Sequence, residues 1–151
     1  MLRYVMIGTF AALATTLSTA TFAQAQSGTA AEAKAMLERA VVAVKADKAK
    51  ALAMFDAGEP AFKDRDLYPF CFNIADGINV AGPKTVRGKD VRTLKDPTGN
   101  AFGEQIYKAA QDGKVNEVAY MFPRPGETTP VAKTSFVTKA GDLGCGVGYY
   151  K

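Results

Sequence analysis

The chain closes on the stretch LGCGVGYYK, from Leu143 to Lys151, in which glycine recurs at 144, 146 and 148. Successive side chains of a strand point to opposite faces. Cys145, Val147 and Tyr149 therefore share one side, and the other side carries only hydrogens. Glycine inside a strand weakens it and marks a place where something bulky comes close. The fold must supply that group over the bare face: a packed side chain, a helix or a bound molecule.

The N-terminal stretch, MLRYVMIGTFAALATTLSTATFAQAQS, has one early cation at Arg3, an apolar middle and the small-residue pair Ala23 and Ala25. This pattern predicts an export signal over residues 1–25, removed after Ala25. It leaves residues 26–151 as one periplasmic domain. Thr9, Thr15, Thr16, Ser18 and Thr19 interrupt the apolar run. That argues against the roughly 20 residues of a permanent membrane span. A net charge of +4, mild and scattered, gives no clustered basic stripe for nucleic acid. Two cysteines, Cys71 and Cys145, leave three readings: a disulfide favoured by export, two buried thiols, or half of a metal site. The metal reading is weak in a chain with no histidine, and no cofactor is expected.

From about Ala30 to residue 56 the sequence is rich in Ala, Lys, Glu and Leu without Gly or Pro, which predicts one long helix. Leu37, Val41, Val44, Ala51 and Phe55 form its apolar stripe, Lys45, Asp47, Lys48 and Lys50 supply most of its wet side, and Gly58 and Pro60 end it. The sheet follows over residues 64–151. Tyr68, Phe70 and Phe72 alternate with Pro69, Cys71 and Asn73 before an ADG turn, which reads as a hairpin. Residues 82–99 hold many turn formers and predict an ordered surface loop. Asn100 then caps a short helix whose buried face is Phe102, Ile106, Ala109 and Ala110. Two more alternating stretches, NEVAYMFPRPG and VAKTSFVTKAGD, precede the glycine strand. The order predicts an α+β fold with helices covering one antiparallel sheet.

AMLERAVVAVK on the long helix, DLYPFCFNIADG on the hairpin, GKDVRTLKDPTGNAF before the short helix, KTSFV and the terminal GVGYY, in this order, resemble the single Cache domain of the second type. The resemblance spans nearly all of residues 26–151 and implies a PAS-like, profilin-like five-stranded antiparallel sheet of strand order 2-1-5-4-3. It also implies an extracytoplasmic sensor module for small organic molecules, often carboxylates. Receptors of the family continue into a transmembrane helix and an output segment, and none follows Lys151, so a free-standing form reporting to a separate membrane sensor is expected. Family members often carry His-Pro after the hairpin turn and Trp before the terminal glycines, where this chain has Ala81-Gly82 and Leu143. The implied strand order makes the strands of Cys71 and Cys145 neighbours and pairs the two in a disulfide. It also lays Phe70 and Phe72 over the glycine face, an arrangement that needs no ligand. The competing reading is a face cleared for a bound molecule.

Without histidine there is no conventional Ser-His or Cys-His pair, and an enzyme is not expected. Asp64, Asp66, Asp90 and Asp96 lie in loop sequence and read as solvated carboxylates. In the PAS-like fold that the resemblance implies, the pocket lies between sheet and loop. Candidates to hold a small anion are Arg87 and Lys89 on the loop, with Tyr120, Phe122, Lys133 and Ser135 on the later strands. Strand parity sets Lys133, Ser135 and Val137 on one face and Thr134, Phe136 and Thr138 on the other. Three functions remain: a periplasmic domain that binds a small molecule, such as a carboxylate; a structural or interaction module of the same fold with a filled pocket; and a redox protein using the two cysteines. The last ranks lowest, because redox pairs are commonly C-x-x-C.

Overall fold

The computed structural model describes residues 27–151. The expected export signal and its cleavage after Ala25 lie outside the described residues. The elements run α1 (Ala30–Ala46), α2 (Lys48–Ala57), β1 (Pro69–Asn73), β2 (Asn79–Ala81), a 3-10 turn (Val91–Thr93), α3 (Phe102–Ala109), β3 (Asn116–Pro123), β4 (Pro130–Ala140) and β5 (Leu143–Tyr150). The five strands form one antiparallel sheet in the order β2-β1-β5-β4-β3. Among the described residues no helix is long and apolar enough to cross a membrane.

The expected single helix over residues 30–56 is divided at Asp47. A capping box starts α1: the Thr29 hydroxyl accepts the Glu32 N–H and the Glu32 carboxylate accepts the Thr29 N–H. Asp47 then adopts an extended backbone (φ −157°, ψ 100°), and its carboxylate accepts the Lys50 N–H, so it caps α2. The aspartate read as part of a solvated face is thus a break between two helices. Gly58, at φ 64°, closes α2 in the left-handed conformation that glycine adopts at least cost.

Alternation along the strands separates two apolar layers. Cys71, Phe136, Leu143, Cys145 and Val147 pack against Met36, Leu37 and Val44 of α1. On the other face Phe70, Phe72, Val118, Tyr120 and Val137 pack against Phe102, Ile106 and Ala109 of α3. Cys71 and Cys145 stand opposite one another in the β1/β5 ladder and form a disulfide.

The glycine face has two tenants. Methyl groups built on Gly144 and Gly146 would overlap the rings of Phe72 and Phe70, and the Gly146 methyl would also meet the Phe136 carbonyl. At Gly148 the overlap is with the Lys133 stem and the Ser135 hydroxyl. Two glycines accommodate core rings, and the third accommodates the side chain of a lysine.

The segment 82–99 is not a simple surface loop. Val91 and Asp96 are buried, and Val91 opens a 3-10 turn that runs to Thr93. Asp96 organises its end: one carboxylate oxygen accepts the N–H groups of Thr98 and Asn100 and the Thr98 hydroxyl, and the other accepts the Met121 N–H of β3. These bonds, that from the Thr98 hydroxyl first, hold the Asp96 carboxyl down at about 2. Asn100 does not cap α3. The cap position is Ala101, without a side-chain bond, and the Asn100 amide oxygen accepts from Gln105 instead.

Candidate functional site

Lys133 pairs directly with Tyr150 across β4/β5, and its side chain runs over Gly148 into the layer beneath α3 and the crossover. It is 2% exposed. Its ammonium donates to the hydroxyls of Tyr68 (3.0 Å) and Tyr150 (3.3 Å), and it lies 4.6 Å from the ring centres of both and 5.2 Å from that of Phe122. Such cation–ring contacts offset part of the cost of burying the charge. Among the described residues no carboxylate lies within ion-pairing distance of it. Burial pushes its pKa down to about 7, against the opposing pull of the Asp66 carboxylate. The Tyr150 hydroxyl donates to the Pro123 carbonyl (2.6 Å), which orients its lone pairs toward Lys133, and burial pushes that phenol up to about 12.

Lys133 lines a small cavity of about 30 Å³. Its polar lining is Lys133, Tyr68, Tyr120 and Asn79, and its apolar walls include Phe70, Val91, Phe102 and Ile106. Tyr120 stacks on Phe102, ring centres 4.4 Å apart, and shares a 2.8 Å hydrogen bond with Ser135. A second hollow, a groove of about 620 Å³, lies outside it between the end of α2, residues 82–87 and the β3–β4 connection.

The structure brings together only part of the set expected from sequence. Lys133, Tyr120 and Phe122 line the cavity. Ser135 is fully buried and hydrogen-bonded to the Tyr120 hydroxyl. Arg87, expected to hold a small anion, lies on the outer groove, where both arms of its guanidinium bind Asp56. Lys89 is exposed and lines neither hollow; its backbone carbonyl accepts from the Asn79 N–H and side-chain amide (both 2.9 Å). Its positive charge therefore plays no part in the cavity.

Tyr68, Tyr150 and Asn79 were missed. Parity carried a signal for the tyrosines: Tyr68 continues the face of Phe70 and Phe72, and Tyr150 that of the three glycines. Asp66 also departs from the solvated reading. It is 5% exposed, accepts the Gly28 N–H at 2.7 Å, and lies 3.7 Å from Arg124, whose guanidinium sits over the Tyr150 ring. Among the described residues no group of three or more His, Cys, Asp or Glu is arranged to hold a metal ion.

An antiparallel five-stranded sheet with α1 on one face, and α3 with a structured crossover enclosing a cavity on the other, defines a PAS-like sensor fold. The chain belongs to the Single Cache domain 2 family, whose profile matches residues 2–150. Over 68 residues, 40% of this chain, it is 32% identical to the methyl-accepting chemotaxis protein McpP of Pseudomonas putida, and the match spans 12% of that protein. A methyl-accepting chemotaxis protein from Vibrio parahaemolyticus superposes with a TM-score of 0.65 at 23% identity, over 80% of this chain and 86% of the other. The periplasmic sensor domain of a chemotaxis protein superposes with a TM-score of 0.59 at 23% identity, over 80% and 88%. A Cache chemosensory domain described for its carboxylic acid recognition gives 0.56 at 24% identity, over 80% and 86%. At these identities the likeness establishes the fold.

Proposed function

We propose that this chain is a sensor domain that binds a short organic acid in the cavity beneath the crossover. The Lys133 ammonium pairs with the carboxylate, and Tyr68, Tyr150 and Tyr120 act as neutral partners. The observation that carries this reading is a lysine that is 2% exposed, lines a cavity and has no carboxylate partner among the described residues. An unpaired buried charge is costly, and an anion entering the cavity relieves that cost. A relative of the same fold is described for carboxylic acid recognition, which agrees with this chemistry. The cavity, about 30 Å³, suits an acid of about two or three carbons after small side-chain adjustments. Export through residues 1–25 and a membrane sensor as signalling partner belong to the same proposal.

A second reading has its own observation: the rings of Phe102 and Tyr120 stack with centres 4.4 Å apart in the cavity wall, as in a structural or interaction module whose pocket is filled. Titration calorimetry with unbranched monocarboxylates from acetate to hexanoate separates the two. Binding that Lys133→Met weakens by about ten to a hundredfold, the loss of one charged hydrogen bond, supports the sensor. No heat and no thermal shift with any of these acids supports the filled module.

A further inference from the structure

The inner cavity and the outer groove are separate hollows with a common wall. Tyr68, Pro83 and Phe122 line both. Two of the three are anchored. The Tyr68 hydroxyl is bonded to Lys133, and the Pro83 carbonyl accepts the N–H groups of Val86 (3.0 Å) and Arg87 (3.1 Å), in a turn that the Arg87–Asp56 pair ties to α2. Phe122 is held differently. It sits on the edge strand β3, half-buried, and its ring meets Phe102 and Tyr120 edge-on at 6.1 and 6.0 Å. No side-chain hydrogen bond fixes it, and it lines both the hollow of about 30 Å³ and the groove of about 620 Å³.

We propose that Phe122 is the specificity-determining residue of the site and sets the chain length of the acid it accepts. The inference rests on the reading of the cavity as a carboxylate site. A carboxylate anchored on Lys133 leaves room in the inner cavity for a very short hydrocarbon tail. A longer tail has to cross the plane of the Phe122 ring. Beyond it the groove offers apolar surface from Phe55, Phe62, Pro69 and Pro123, so methylenes that reach it are buried again. Each buried methylene favours binding by about fourfold. The wild-type ring forbids this gain, and a smaller side chain releases it.

The test is calorimetry with acetate, propionate, butyrate and hexanoate on wild type, Phe122→Leu and Phe122→Ala. Near-ultraviolet circular dichroism confirms that each variant is folded, and the leucine variant keeps the test open if the alanine variant is not. Wild type is expected to lose affinity beyond about three carbons. Phe122→Ala is expected to gain about fourfold per added methylene over its own acetate affinity, with Phe122→Leu between it and wild type. A chain-length profile unchanged in both variants, or lowered uniformly for all four acids while acetate still binds, overturns the role of Phe122 and leaves the carboxylate site standing. Failure of all three proteins to bind any of the four acids overturns the carboxylate site and the role of Phe122 together.

Discussion

Alanine substitutions at Gly146 and Gly148 provide a paired test of the two tenants of the glycine face. At Gly146 the added methyl meets the Phe136 carbonyl and the Phe70 ring. The carbonyl belongs to the β4 backbone, whose ladder pairs Val137 with Gly146 and Phe136 with Val147, so it cannot retreat without disturbing the sheet. Overpacking of this kind costs about 1–3 kcal/mol. For a domain of this size that corresponds to a fall in Tm of about 4–12 °C. At Gly148 the methyl meets the outer carbons of Lys133 and the Ser135 hydroxyl. A lysine stem can swing aside, so the expected stability loss is smaller, but the ammonium leaves its place between Tyr68 and Tyr150. Loss of one charged hydrogen bond, about 1.5–3 kcal/mol, weakens acid binding by roughly ten to over a hundredfold. Thermal unfolding and acetate titration of the two variants read both quantities. A Gly148→Ala protein that is less stable than Gly146→Ala, or that binds acetate as wild type does, would refute the division of the face into a packing part and a binding part.

Three further outcomes are expected. Unfolded, the Lys133 amine titrates near 10.5, and folded at about 7, so between these values the unfolded chain holds the extra proton and stability rises with pH. Urea midpoints should climb from pH 7 to 10 in wild type more than in Lys133→Met, while acetate affinity falls about tenfold per pH unit above about 7. A flat affinity between pH 6 and 9 would count against Lys133 as the anion's partner. Replacing Cys71 and Cys145 by alanine opens a loop of sequence separation 74, which in the chain-entropy model costs about 4–5 kcal/mol, read as a lower urea midpoint. The Asp96 carboxyl, held at about 2 when folded against 3.8 in the open chain, contributes stability above pH 4 that is lost as pH falls toward 2. Hydrogen exchange at Met121 and Asn100, corrected for intrinsic rates, should accelerate across that window in wild type and be fast throughout in Asp96→Ala.

The strands and their faces were readable because alternation is a local property. The parity of Lys133, Ser135 and Val137, and of Phe70 and Phe72, survives in the sheet unchanged. The strand order and the disulfide came from the family resemblance, since no local pattern states which strands are neighbours. The features that were missed depend on partners distant in sequence. Asp66 is buried because the Gly28 N–H, 38 residues away, needs an acceptor. Arg87 is paired with Asp56, 31 residues away, which no local pattern announces. Asp47 is different: a charged residue in a run of good helix formers reads as surface, and only its extended backbone reveals a cap. Lys133 was placed on the correct face, but its burial follows from the missing side chain at Gly148, and those two residues become neighbours only in the folded sheet.

The cystine makes the sheet mechanically lopsided. Cys71 and Cys145 rivet β1 to β5 on the side facing α1, so Phe70 of β1 and Gly148 and Tyr150 of β5 belong to one cross-linked pair of strands. The opposite wall has no rivet. Val91 and Leu94 of the crossover, Phe102 and Ile106 of α3, and Tyr120 and Phe122 of β3 are joined by packing and by hydrogen bonds alone: Gly103 N–H to the Leu94 carbonyl, the Asn116 amide to the Ala109 carbonyl, and Met121 N–H to Asp96. Of the two sides of the cavity, the one built from the crossover, α3 and β3 is therefore the one held without a covalent cross-link, and Asp96 ties its crossover to the edge strand.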